Sequence, residues 1–253
     1  MNAIIIAAGL GKRISKDVKS TPKSLIKVND KPIINYQIDI LKKLGIEKII
    51  VITGKFSEKF NIKNINYVHD VDHEKHDILG SLMEARKFLK NDVLVMYSDI
   101  MFEFKILKQI LNSNSEISIA VDLDWEKNYI NRNDHPKSEA ENVLLDSNDN
   151  ILQIKKNIQD KKSRIGEFLG IMKFSNNGCK IFIKKYDDAL KKYNNSFQNS
   201  NSILKAYLTD MIQELIDCKI KVVPVFISGK WCEIDTLEDL KNAEKKFSDY
   251  SLD

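Results

Sequence analysis

The chain has 253 residues, 43% hydrophobic and 30% charged, with 40 Lys and Arg against 36 Asp and Glu for a formal net charge of +4. That length suits one substantial α/β domain, and Lys interleaves with acidic residues along nearly every segment, unlike the basic face or helix that a nucleic-acid binder concentrates. Cys179, Cys218 and Cys232 are widely spaced with no CxxC, which argues against a disulfide framework or zinc site and suits a reducing, cytoplasmic compartment.

In chain order, the apolar run AIIIA predicts a buried strand over residues 3–7, too short and wrongly flanked for a signal peptide or membrane span. Apolar Ile34, Ile38, Leu41 and Leu44 predict a helix over 33–44 ended by Gly45, and KIIVIT a strand over 48–53. A weak strand over 66–69, a helix over 81–89 and a strand over 93–97 follow, the last running into Ser98-Asp99. A helix over 103–111 and a strand over 117–121 complete this rhythm. Residues 122–166 break it: they are polar, alternate only in VLLD and ILQI, and read as a β-rich insertion covering the open edge of the sheet. Regular structure resumes with a strand over 168–174, helices over 180–190 and 203–216, a strand over 221–226 and a helix over 237–247. The pattern predicts a single Rossmann-like α/β domain spanning 1–253, with a mostly parallel mixed sheet flanked by helices.

The chemistry is expected where strands end, since open α/β sheets bind ligands beyond their carboxyl ends. Gly9 and Gly11 follow the first strand directly; such glycines let backbone N–H groups approach an anion, and Lys12 and Arg13 add charge. GLGKR lacks the spacing and hydroxyl of a Walker loop, and Ile14 stands where a dinucleotide fingerprint needs a small residue. A tight turn with solvated basic residues fits the five residues equally well. Thr21-Pro22-Lys23 shifts the balance, because proline fixes the backbone ahead of a compact ammonium able to bridge two phosphates.

AAGLGKR followed by PK resembles the GxGxR…PK signature of the sugar-nucleotidyltransferase superfamily. Asp99 after VLVMYS and Asp235 in WCEIDT resemble that family's paired acidic positions, and two such carboxylates suit an octahedral Mg²⁺, although Asp235 also fits a helix N-cap. DWEKNYINRNDHPKSEAENV is similar to a stretch of the cytidylyltransferase branch, whose members activate phosphocholine, 2-aminoethylphosphonate and phosphoglutamine. The resemblance runs nearly end to end. It implies an Mg²⁺-dependent transfer from CTP to a small phosphorylated acceptor, in the service of capsule biosynthesis, with no nucleic acid or membrane as partner and with a homodimer as one possible assembly. It assigns Lys23 and Arg13 to catalysis, and Ala8, Gly9, Gly11, Lys12, Gly80 and Ser81 to the nucleotide. For the acceptor, Arg132 is expected to grip a phosphate or carboxylate, Trp125 and Tyr129 to form a wall, and Glu139 or Glu141 to catch an ammonium or orient a basic side chain. Trp125 and Tyr129, four apart, fit simple packing of the insertion equally well, and Ser81 fits a helix N-cap. His76 and Asp77 depart from the family's usual residues, HDVDHEKH (His69, His73, His76) reads as a solvated loop more than a metal cluster, and the fourth histidine is His135. Asp70-Val71-Asp72 and Asp122-Leu123-Asp124 offer DxD pairs to a rival glycosyltransferase reading, but neither follows VLVMY.

Overall fold

A computed structural model describes residues 1–9, 21–130, 132–160 and 162–250. The elements are β1 (Asn2–Ala7), β2 (Lys27–Val28), β3 (Lys31–Pro32), α1 (Ile33–Lys43), β4 (Lys48–Thr53), β5 (Asn66–His69), α2 (Ile78–Glu84), β6 (Val93–Tyr97) and β7 (Ile100–Phe102). They continue with α3 (Phe104–Leu111), β8 (Ile117–Asp122), β9 (Glu141–Leu145), β10 (Ile151–Lys156), β11 (Arg164–Phe174), α4 (Asn176–Lys192), α5 (Leu208–Asp217), β12 (Val223–Phe226), β13 (Trp231–Glu233) and α6 (Leu237–Lys246). No helix among the described residues is long and apolar enough to cross a membrane.

All six residues of β1 are buried, as a central parallel strand covered on both faces requires. It lies between β4 and β6, with Ile4 opposite both Ile50 and Val95, and β5 extends the parallel set beyond β4. Side chains alternate across the sheet: Ile4 and Ile6 join Leu82, Phe182 and Met211 of α2, α4 and α5, whereas Ala3, Ile5 and Ala7 join Ile38, Leu41, Ile106 and Leu107 of α1 and α3. α6 packs separately, through Ala243, against Ile26, Val28 and Tyr36.

The eleven-residue β11 organises the other half. Its C-terminal part pairs antiparallel with β6 on one edge, and further back the same edge carries β9, whose hairpin partner is β10. The opposite edge pairs with β8, which takes β12 alongside. The changeover falls at Gly170, whose φ of +71° is left-handed and whose Cβ position would lie 2.3 Å from the Tyr97 ring, so only glycine fits. The insertion therefore hydrogen-bonds into the sheet instead of lying over its edge, and a gap opens between the end of β6 and the start of β9.

Several boundaries also differ from the sequence reading, with β11 starting at Arg164 and α4 spanning Asn176–Lys192. α2 begins at Ile78 and stops at Glu84, with Arg86–Phe88 continuing only as a 3₁₀ turn. The expected helix over 203–216 begins at Leu208, because Ile203–Lys205 forms its own 3₁₀ turn and Ala206 is extended. The short pair β7 and β13 has no counterpart in the apolar pattern, since three-residue strands are below the length at which alternation is legible.

Candidate active site

Three segments converge beyond the carboxyl end of β6. Pro22, at φ −53° and ψ 138°, delivers Lys23 as the first residue of a 3₁₀ turn. Asp99 follows β6 by two residues, and the antiparallel pairing of β13 with β7 brings the C-terminal segment beside it, where the Ile234 amide donates to the Asp99 carbonyl at 3.0 Å. Lys23 Nζ donates to Asp99 Oδ2 at 2.6 Å and to Asp235 Oδ1. Burial alone would push this ammonium down; the carboxylates of Asp99, Asp235 and Glu233 outweigh it and hold the group above its ordinary value. Thr236 and Asp239 form the capping box of α6, so Asp235 is not its N-cap. Its second oxygen accepts from His135 Nδ1 at 3.1 Å.

One ammonium stands here against two carboxylates, and Asp99 Oδ1 is buried without a partner among the described residues. Hard oxygen donors converging on one point, with an unused oxygen, fit a divalent cation of the Mg²⁺ type. His135, Glu233 and Asp235 also bring one ligand atom each within 4.8 Å of one another.

Two cavities meet at Lys23 and Asp99. The larger, about 560 Å³, is lined by Ala8, Gly9, Ser81, Ser98 and His76 as well as by the shared pair. Ser81 lies inside α2, not at its N-cap, and its hydroxyl donates to Asp70 Oδ2 at 2.7 Å. Gly80 lets the chain pass close: a Cβ there would sit 2.8 Å from both the His76 ring and the Leu204 carbonyl. The smaller cavity, about 140 Å³, occupies the gap between β6 and β9 and is lined by Tyr97, Glu141, Glu167, Tyr207, Trp231 and Glu233. The Tyr97 hydroxyl donates to Glu141 Oε2 at 3.2 Å. Burial, reinforced by the nearby Glu233 and Asp99 charges, pushes Glu141 up to about 8 against the pull of Lys156 and the Tyr97 hydroxyl. Burial likewise raises Glu233 and Glu167. Glu139, on the rim, pairs with Lys156 at 2.9 Å.

The structure thus brings Lys23, Asp99, Asp235, Ala8, Gly9, Ser81 and Glu141 around one centre, with Gly80 directly behind; Gly11, Lys12 and Arg13 lie outside the described residues. Arg132, Trp125 and Tyr129 do not line the smaller cavity. Arg132 Nε donates to Asp239 Oδ1 at 2.5 Å, and its guanidinium stacks 5.0 Å from the centre of the Tyr129 ring. Trp125 meets Tyr129 edge-on and donates to the Ile165 carbonyl, so both aromatic rings pack the insertion onto β11. Tyr129 reaches the cavity only through its hydroxyl, which donates to Glu167 Oε1 at 2.6 Å. The HDVDHEKH segment is a turn with His69, Val71, Glu74 and Lys75 exposed, as expected, but Asp70 within it is fully buried and binds His76. His135 and Glu233 escaped sequence reasoning, although Glu233 stands in the same WCEID segment that singled out Asp235.

Residues 3–137 match the MobA-like NTP transferase domain. The chain belongs to that family. It is a nucleotidyltransferase, and the fold agrees: a putative glucose-1-phosphate thymidylyltransferase from Bacillus anthracis superposes with a TM-score of 0.75 over 99% of this chain and 96% of that one, at 19% identity. Within the family, it is 30% identical to the CTP:phosphoglutamine cytidylyltransferase of Campylobacter jejuni, over 95% of this chain and 98% of that protein. It is 36% identical to the choline-phosphate cytidylyltransferase of Streptococcus pneumoniae over 41% of this chain and 47% of that one.

Proposed function

We propose that this nucleotidyltransferase transfers a cytidylyl group from CTP to a small phosphorylated acceptor that carries an ammonium, with phosphoglutamine the best candidate. An oxygen of the acceptor phosphate attacks the α-phosphorus in line, the bond from that phosphorus to the bridging oxygen breaks, and pyrophosphate leaves. The nucleophile is an oxygen of the acceptor's own phosphoryl or phosphonyl group, already anionic at neutral pH, so no general base is needed. What remains for the protein is positioning and charge neutralisation. Lys23 is the group for the α-phosphate and the incoming oxygen, since it stands where the two cavities join. Ala8 and Gly9 border the nucleotide side, Arg13 and Lys12 serve the leaving phosphates, and Gly80 and Ser81 flank the base. Asp99 and Asp235 would hold Mg²⁺, which when bound neutralises phosphate charge. Without a cation, the excess of carboxylate over ammonium at this centre opposes a triphosphate.

The observation that carries the acceptor reading is the character of the smaller cavity. Glu141, Glu167 and Glu233 line it together with the aromatic rings of Tyr97 and Tyr207, a combination that suits an organic ammonium. His135 Nε2, 3.7 Å from Glu233 Oε2, and Glu167 Oε2 are buried there without hydrogen-bond partners among the described residues, and polar groups of a ligand would complete them. The 30% identity over almost the whole of the Campylobacter jejuni enzyme supports glutamine over choline.

Pyrophosphate release tests this, with CTP, UTP, ATP and GTP crossed against phosphoglutamine, phosphocholine, 2-aminoethylphosphonate and glucose 1-phosphate. Release is expected with CTP and an amine-bearing acceptor. Release with UTP and the sugar phosphate alone would replace the reading with a hexose-1-phosphate nucleotidyltransferase.

A further inference from the structure

Besides the charged centre, the larger cavity is lined by two imidazoles, His73 and His76, and by Asp77. Asp70, the residue after β5, controls both rings. Its main-chain carbonyl lies 3.1 Å from His73 Nδ1, and its carboxylate Oδ1 lies 2.9 Å from His76 Nδ1. A carbonyl oxygen only accepts, so Nδ1 of His73 carries a proton. The Asp70 carboxylate also receives the Ser81 hydroxyl at 2.7 Å and the Asp72 amide at 3.1 Å, and as an acceptor it imposes the same tautomer on His76. In a neutral ring protonated at Nδ1, Nε2 is a bare acceptor. His73 Nε2 is buried without a partner among the described residues, a state that buried polar atoms seldom keep unless a ligand completes it. The lysines on this wall are occupied elsewhere: Lys205 Nζ donates to the Glu74 carbonyl at 2.7 Å, and Lys55 Nζ lies 5.5 Å from the centre of the Phe56 ring.

We infer that His73 and His76, held through Nδ1 by Asp70, read the exocyclic amino group of the nucleobase and reject a base with a carbonyl oxygen in its place. This rests on the proposed cytidylyl transfer and adds to it the side chains that choose the base. The 4-amino group of cytosine donates to such acceptors, whereas O4 of uracil would face them lone pair to lone pair and leave them unpaired.

The test compares kcat/KM for CTP, UTP and 2-pyrimidinone ribonucleoside triphosphate, which is CTP with hydrogen in place of the amino group. The unaltered protein is expected to favour CTP over both by about tenfold or more, the worth of one or two hydrogen bonds to a buried partner. In His73→Phe, His76→Phe and the double variant, CTP should fall towards the pyrimidinone analogue while the analogue itself changes little. An equal loss with all three nucleotides would assign the rings a purely structural part and overturn the inference. So would equal use of CTP and the analogue by the unaltered protein, a measurement that needs no variant to fold. Turnover with no nucleotide at all would instead bring down the transfer reading on which this rests.

Discussion

The two cavities that meet at Lys23 are assembled in opposite ways. The larger cavity, assigned above to the nucleotide as a proposal, is made mainly from the first hundred residues: the end of β1, the turn after β5, the start of α2 and the end of β6, with Lys205, among the described residues, the one lining residue from later in the chain. The smaller cavity draws on the 3₁₀ turn at Lys23, the end of β6, β9, β11, the start of α5 and the segment through β13. The first offers glycine backbone, a serine and imidazoles; the second gathers carboxyl groups that the fold keeps out of water. The match to the MobA-like domain ends at residue 137, before Glu141, Glu167, Tyr207 and Glu233. The larger cavity is thus compact in sequence and the smaller one is recruited from afar, as the proposed division between nucleotide and acceptor would require.

Breaking the junction should have the largest effect. Lys23→Ala is expected to lower turnover by roughly 10²-fold or more, as when one preorganised electrostatic donor is removed. Steady-state pyrophosphate release checks this, and a near-normal rate would mean that the cavities do not share a reaction centre. Next comes Gly170→Ala, which forces a side chain into left-handed backbone and against Tyr97. It should cost about 2 kcal/mol, seen as a fall of about 4 °C or more in Tm by thermal unfolding.

Glu141→Gln sharpens the contrast in charge. Assayed above pH 8, where Glu141 is ionised, KM for an amine-bearing acceptor should rise about tenfold, while KM for CTP stays constant. The same variant has a signature in stability. Glu141 ordinarily titrates near 4.5 but near 8 in the fold, so the folded protein binds the extra proton between those values, and stability falls as pH rises through that window. Thermal unfolding from pH 5 to 8 should show a flatter decline for Glu141→Gln, with the largest gain in Tm at pH 8. The smallest effect belongs to a pair remote from both cavities. Arg86 and Asp187 are 47% and 38% exposed, and Arg86→Ala should change stability by about 0.5 kcal/mol or less in denaturant titration.

The same division governs what could be read from the sequence. KIIVIT, NYVH and VLVMY fold as strands over the expected residues, because short apolar or β-branched runs need no distant partner to declare themselves. Lys23, Asp99 and Asp235 were legible through the segments around them, PK, VLVMYSD and WCEIDT, and the fold brings their charged ends together. Arg132 was not, since its partner Asp239 lies 107 positions away and is at once a capping residue of α6; nothing local distinguishes an arginine so held from one that grips a ligand. The split of β11 was equally hidden, because the run that ends it reads as one strand whichever neighbours it takes. His73 and His76 looked like members of a polar loop for want of one fact, the complete burial of Asp70.

The bond between Lys23 and Asp235 spans 212 positions. A ribosome therefore delivers the phosphate-handling half of the molecule long before the carboxylate that completes its centre, and β13 must pair with β7 before that carboxylate arrives. Closing so long a loop costs about 1 kcal/mol more than the 76-position closure to Asp99, and the sheet must already be formed to offset it. Activity should consequently appear as the last event of folding, and a chain that stops short of residue 235 should release no pyrophosphate.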